Sequence, residues 1–200
     1  MCIRDSPSNA LRRFQERVKE DPTDANLYGL ALAHNKNNNN EESLNLIDNI
    51  ISMYPKNLVL NNTKIDILFE SDKDEEALSL VNKFLEISPR NYPLSISKAK
   101  ILLAMKNYFE SEEIIRDQLL TKNNNPELWL LLSVIQRSSK NIVGYHQSRA
   151  EYFLLLGQNE RALNQLEFAL KLTQNNFQIS ERIMTKIIQI KKVISDSRGL

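Results

Sequence analysis

Pro55 and Pro89 stand 34 residues apart, and each closes an apolar-rich helical pattern, Ile50-Ile-Ser-Met-Tyr and Phe84-Leu-Glu-Ile-Ser. Stepping by 34 from Leu27 gives Asn61, Ser95 and Trp129. Four residues on, a mostly small ladder runs Ala31, Ile65, Ala99, Ser133; twelve further on a second runs Ser43, Ala77, Ser111, then Tyr145. An apolar ladder, Ile47, Val81 and Ile115, is broken in its fourth copy by Arg149. Self-similarity at this period constrains the fold more than any composition does. Small residues at fixed spacing let two helices approach closely, and the apolar rungs fill the seam between them.

Helix signals agree with that period. Glu41-Glu42, Glu75-Glu76, Glu110 and Glu160 fall in first turns, where negative charge complements the helix dipole. Asn40 and Asp74 are the expected N-caps. The pattern predicts helices near 8–19, 25–37, 41–53, 58–70, 74–87, 92–105, 108–121, 127–138, 141–156, 159–173 and 176–194. Between them Asn38-Asn-Asn, Asp72-Lys-Asp and Lys106-Asn take turn positions without glycine. Asn tolerates left-handed backbone and suits such a turn.

The register changes after Trp129. Ala150, Ala162 and Ala169 reproduce the small-residue spacing about half a repeat early, with Gly157 in the turn between them. The helix at 141–156 is therefore expected to close one pair and open the next. The last helix carries Ile179, Ile183, Ile187, Ile190 and Ile194 on one face and Arg182, Lys186, Lys191 and Lys192 on the other. That is the pattern of a terminal cap with one wet face. The rival reading is a basic membrane-binding helix, although such helices carry more aromatics.

Composition excludes most catalytic machinery in this chain. Among 200 residues there are one Cys, two His and four Gly. No disulfide framework can form within the chain, a Cys/His zinc site has almost no ligands, and no glycine-rich phosphate loop is present. Neither His34, followed by Asn35, nor His146, followed by Gln147, has a helical partner His. The 26 Lys and Arg balance 25 Asp and Glu, with no basic stripe to attract nucleic acid. The longest apolar stretch, around Leu128 to Ile135, is interrupted by Ser133 and too short to span a bilayer.

These ladders resemble the tetratricopeptide repeat, a helix–turn–helix of 34 residues. The resemblance implies an all-α, right-handed α-solenoid of antiparallel helix pairs with a capping C-terminal helix. The solenoid is assigned to residues 23–195, preceded by a junction helix at 7–22 and followed by a frayed tail at 196–200. Asn61 and Ser95 depart from the family pattern, which has a large residue at the start of the first helix. Residues 1–6, Met-Cys-Ile-Arg-Asp-Ser, resemble an adapter-derived artefact of sequence assembly. Excluding them removes Cys2, and the true N-terminus is then expected upstream.

A narrower resemblance lies in His146-Gln-Ser-Arg-Ala-Glu-Tyr-Phe-Leu-Leu-Leu-Gly157 and Glu160-Arg-Ala-Leu-Asn-Gln-Leu-Glu-Phe-Ala-Leu-Lys171. It is similar to the C-terminal repeat region of periplasmic zinc metalloproteases of the β-barrel assembly-enhancing type. Ala25-Asn-Leu-Tyr-Gly-Leu-Ala-Leu-Ala-His34 and Leu11-Arg-Arg-Phe-Gln-Glu-Arg-Val18 resemble the start of that family's repeats and its junction with the protease. The family's HExxH signature, two His ligands and a Glu base on one helix, is absent from this chain. The resemblance thus implies a non-catalytic module without cofactor, with zinc in a protease domain upstream. It further implies a periplasmic location, and partners among outer-membrane β-barrel assembly components, their clients and the protease domain itself. The alternative is a stand-alone repeat adaptor with no protease attached, cytoplasmic or envelope-associated.

Candidate residues follow from the repeat. His34 and His146 are read as structural, hydrogen-bonding residues, and Trp129 as core. Glu75-Glu76 and Glu112-Glu113 do not form catalytic pairs, because neighbours on a helix point about 100° apart. The Asn runs 37–40 and 123–125 are read as turns. Projecting the first helix of each pair onto its open face selects Tyr28, Asn62, Asp66, Phe69, Ile96, Lys100, Leu130 and Arg137 as a protein-binding groove. Its mixed character suits an extended segment or helix of a partner, and it lacks the Lys/Asn clamp that captures a C-terminal carboxylate.

Overall fold

The computed structural model describes residues 6–173 and 176–198. Among these every regular element is an α-helix. The chain divides into two compact units, residues 1–105 and 106–200. The first contains α1 (Pro7–Glu20), α2 (Asp24–Lys36), α3 (Asn40–Met53), α4 (Leu58–Glu70), α5 (Asp74–Ile87) and α6 (Tyr92–Ala104). The second contains α7 (Tyr108–Leu119), α8 (Pro126–Ser138), α9 (Ile142–Leu155), α10 (Asn159–Leu172) and α11 (Phe177–Arg198). Within each unit every helix packs on the next in sequence, as short turns between antiparallel hairpins require. The expected helix bounds hold closely except that α11 runs on through Arg198, into the segment expected to fray. Residues 1–5, where the artefact reading chiefly falls, lie outside the described residues; Ser6 is the N-cap of α1.

The ladders form the seams. Ala31, Ile65, Ala99, Ser43, Ala77, Ser111, Ile47, Val81 and Ile115 are all buried without residual exposure. Between α4, α5 and α6 they gather Leu68, Phe84, Leu94 and Ile101 into one cluster. Ser43 shows why a hydroxyl is tolerated there: its Oγ donates to the Ala31 carbonyl at 2.7 Å, so no polar group is stranded. In α9 the buried residues are Gly144 and Ser148, one before Tyr145, the expected fourth rung, and Arg149, the expected break in the apolar ladder; both of these are half-buried. The reason is steric. A Cβ at Gly144 would lie 2.8 Å from Gln136 Nε2, so glycine allows α9 to close on α8. The half-repeat shift is real: Ala150, Ala162 and Ala169 are fully buried and join Ile183, Ile187 and Ile190 of α11 in the second unit's core. On α11's other side, Lys186 pairs with Glu151 and Lys191 with Glu167 at 3.6 Å, so half of the basic face is committed to α9 and α10.

The asparagines turn out to be caps as well as turns. Asn57, Asn91 and Asn125, again 34 apart, each accept a backbone N–H at the start of α4, α6 and α8. Asn107 and Asn141 do the same for α7 and α9. The expected caps Asn40 and Asp74 are instead the first helical residues, and the side chains at the cap positions Asn39 and Lys73 make no capping hydrogen bond. The dipole is served there by Glu41, Glu42, Asp74, Glu75 and Glu76. Asn61 is not a missing large residue but a lock: its Nδ2 donates to the Pro55 and Asn57 carbonyls at 3.1 and 2.8 Å. Trp129, expected in the core, is half-buried and its indole N–H donates to the Asn123 carbonyl at 2.7 Å.

Four of the turns carry a left-handed residue at intervals of 34, Asn38 (φ 60°), Asp72 (59°), Lys106 (64°) and Lys140 (63°); Arg90 (60°), before α6, is left-handed outside that ladder. A left-handed L-residue costs about 1–2 kcal/mol, which glycine avoids while losing part of the gain to chain entropy. Lys140→Gly is therefore expected to raise stability by about 0.5–1 kcal/mol, read as a higher urea midpoint at unchanged slope. A lower midpoint would show that the lysine side chain is needed at this turn.

The junction helix α1 has no fully buried residue. It docks through Phe14, whose ring occupies the space of a Cβ at Gly29, 2.2 Å from Phe14 Cε1. Asn37 Nδ2 secures its start by donating to the Pro7 carbonyl at 2.8 Å.

Candidate functional site

The first helices of successive pairs in the first unit, α2, α4 and α6, share one face. It is held together by hydrogen bonds at offsets near one repeat. Tyr28 on α2 meets Thr63 on α4 through their hydroxyls at 2.9 Å. Asn35 Nδ2 donates to Glu70 Oε2, and Lys36 Nζ lies 3.5 Å from the same carboxylate. On α4, Asn62 Nδ2 donates to Asp66 Oδ2 at 3.0 Å; from α6 the Ser97 hydroxyl donates to Asp66 Oδ1 at 2.6 Å. Asn35 is buried and its Oδ1 has no partner, because turning the amide over would set that oxygen against the Glu70 carboxylate.

Asp66 is the electrostatic centre of this face. Burial raises its pKa above the usual carboxylate range; the Ser97 hydrogen bond and the Lys100 charge oppose the rise, and Glu70 adds to it. A raised folded-state pKa means that ionised Asp66 costs folding free energy. Its favourable contribution is complete below the unfolded-state value of about 3.9 and is lost as pH rises through the folded value. Asp66→Asn should therefore match the parent in urea melts at acid pH and become progressively more stable than it as pH rises to neutrality. A stability difference independent of pH would reject this electrostatic account.

The sequence-selected residues fall as follows. Tyr28, Asn62, Asp66, Ile96 and Lys100 lie along the α2–α4–α6 face, Tyr28 reaching it through Thr63. Phe69 is half-buried and packs against the α4–α5–α6 core, so much of its surface serves folding. Leu130 and Arg137 lie on α8 in the second unit, where the Arg137 guanidinium sits over the Tyr145 ring at 5.9 Å. Asn35, Thr63, Glu70 and Ser97 were missed. Their signal was an offset of 35 rather than 34, which relates residues facing each other across neighbouring repeats. A hollow of about 470 Å³ in the first unit lies apart from this face, between α3, α4 and α5. The Lys64–Asp48 pair, at 2.6 Å, spans its rim.

The two histidines are structural in geometry. His34 Nδ1 is 3.4 Å from Asn39 Nδ2, and His146 Nδ1 is 2.9 Å from Gln165 Oε1. Among the described residues no three His, Cys, Asp or Glu side chains converge to hold a metal ion. Among them, too, no helix is long and apolar enough to cross a membrane.

No protein-family model and no curated protein matches the sequence. Solved structures do match the fold. PilW, a type IV pilus biogenesis factor, superposes with a TM-score of 0.65 at 14% identity, over 90% of this chain and 84% of its own. PilF of Pseudomonas aeruginosa gives 0.59 at 15% identity, over 92% and 91%. A tetratricopeptide repeat protein of Parabacteroides merdae gives 0.57 at 16%, over 95% and 90%. At these identities it is the architecture that is shared: an all-helical chain with the fold of tetratricopeptide-repeat proteins.

Proposed function

We propose that this chain is a non-catalytic protein-binding module whose α2–α4–α6 face receives an extended segment of a protein partner. The observation that carries the reading is the polar ladder Tyr28–Thr63, Asn35–Glu70 and Asn62–Asp66–Ser97. Its groups are held in place before any ligand arrives, so binding loses little side-chain entropy on this side. Mixed donors and acceptors beside the exposed Lys100 suit the backbone amides of an extended chain better than a purely apolar helix. A photo-crosslinking residue at position 96 should capture a partner that one at position 83 does not. Equal capture at both positions would reject the face.

The resemblance over residues 146–171 favours a finer reading: the module belongs to a periplasmic zinc metalloprotease acting in outer-membrane protein assembly, with the catalytic domain upstream. The stand-alone adaptor is supported by a different observation, the shared architecture with the pilus biogenesis factor PilW. Sequencing the intact locus separates them. An HExxH motif in the same reading frame upstream establishes the protease; an upstream frame without it leaves the adaptor.

A further inference from the structure

In the second unit, a row of side chains crosses α8, α9 and α10 with a cation at each end. The Arg137 guanidinium carbon lies 5.9 Å from the Tyr145 ring centroid. Tyr145 meets His146 edge-on at 4.9 Å, and His146 stacks on Phe168 at 5.5 Å with the rings 25° apart. Lys171 Nζ closes the row 5.5 Å from the Phe168 centroid. Gln165 fixes the imidazole from below through His146 Nδ1 at 2.9 Å.

Two properties set this row apart from ordinary surface packing. First, neither terminal cation is ion-paired among the described residues. The carboxylates of Glu151 and Glu167, on the same helices as the row, are already engaged by Lys186 and Lys191 of α11. A guanidinium lying on a ring face keeps its in-plane N–H edge open, and that edge is the one that grips a carboxylate. Second, the middle of the row is apolar and open to solvent: Phe168 is 51% exposed and Leu172 beside it 55%. A rigid, half-exposed aromatic between two oriented cations has the make-up of an interface anchor with a charged rim.

We propose that this row docks a protein segment bearing carboxylates on both sides of an apolar or aromatic residue. The apolar residue covers Phe168, while Arg137 and Lys171 take the flanking carboxylates. This surface lies within the second unit and shares no residue with the α2–α4–α6 face, and its ligand is an internal acidic–apolar segment rather than a chain terminus.

The test uses the full chain and a fluorescein-labelled, doubly capped peptide, Asp-Glu-Gly-Phe-Leu-Gly-Glu-Asp, with the Asn/Gln version as its neutral twin. Anisotropy at low salt should show the acidic peptide binding about tenfold tighter than the neutral one, with the gap closing as salt rises. Arg137→Gln and Lys171→Gln should each weaken the acidic peptide about threefold and leave the neutral one unchanged. Phe168→Ala should weaken both, with unchanged circular dichroism. Equal affinity for the two peptides, or indifference to both charge variants, overturns the proposal. Asn62→Ala on α4 should have no effect; loss of binding there would place the peptide on the α2–α4–α6 face and equally overturn it.

Discussion

Ala77→Arg is expected to lower stability by roughly 2–4 kcal/mol, the cost of overpacking a closed seam and burying an unpaired charge. Ala77 has no exposed surface and sits among Ile65, Leu68, Val81 and Phe84, where α5 lies against α4. An arginine there has no carboxylate within the seam and must push the two helices apart for its guanidinium to reach water. In a chain of this size a loss of that order corresponds to roughly 10 °C in melting temperature. Hydrogen exchange should accelerate first in the amides of α4 and α5. Lys83→Arg, on the exposed side of the same helix, is the control and should melt like the parent. An unchanged melt for Ala77→Arg would mean that the seam is not where the ladder places it.

The second large effect is expected at Gln136, which is 1% exposed and lies where α8, α9 and α7 meet. Its Nε2 donates to Glu112 Oε1 at 3.1 Å, and its Oε1 accepts from the Ser148 hydroxyl at 2.7 Å. Replacing it with methionine keeps the volume but leaves the buried Ser148 hydroxyl without its acceptor, while Glu112 retains Arg116 at 2.6 Å. A buried polar group deprived of its partner costs about 1–3 kcal/mol, so Gln136→Met should destabilise by about 2 kcal/mol. Adding Ser148→Ala should then recover part of the loss, because it removes the stranded hydroxyl. Strict additivity of the two substitutions in a double-mutant cycle would show that the bond contributes nothing.

The helices and their seams were legible because both are written in spacing. Ile47, Val81 and Ile115 recur at the repeat period and all three are fully buried. The left-handed turn residues could be read for Asn38 and Asp72, whose side chains tolerate that conformation. Lys140 gave no such cue; only its place 34 residues after Lys106 marks it. The N-caps at Asn57, Asn91 and Asn125 carried a full periodic signal, although only Asn125 stands in an asparagine run.

The candidate site was less legible, for a physical reason. A helical face can be projected from one repeat, so Asn62, Asp66 and Lys100 were found. The residues that complete it come from the neighbouring helix, one residue out of step with the ladder: Thr63 for Tyr28, Glu70 for Asn35, Ser97 for Asn62. That extra step reflects how stacked helices are offset, which no single repeat encodes. In the second unit the same limit appears at Gly144. The period nominated Tyr145, but the close approach of α9 to Gln136 selected its neighbour.

By itself, then, the sequence determined that this chain is a run of helix pairs, where they begin and end apart from the end of α11, and which residues lie inside apart from Trp129 and Tyr145, since burial repeats with the helix and the period counts it. The tertiary structure alone decided which polar groups meet. It made Asp66 a half-buried carboxylate held by α6, committed Lys186 and Lys191 of the last helix to neighbouring carboxylates, and aligned Arg137, Tyr145, His146, Phe168 and Lys171 into one row. Hydrogen bonds and ring contacts act over a few ångströms between residues distant in the chain, so only the packed helices could bring them together.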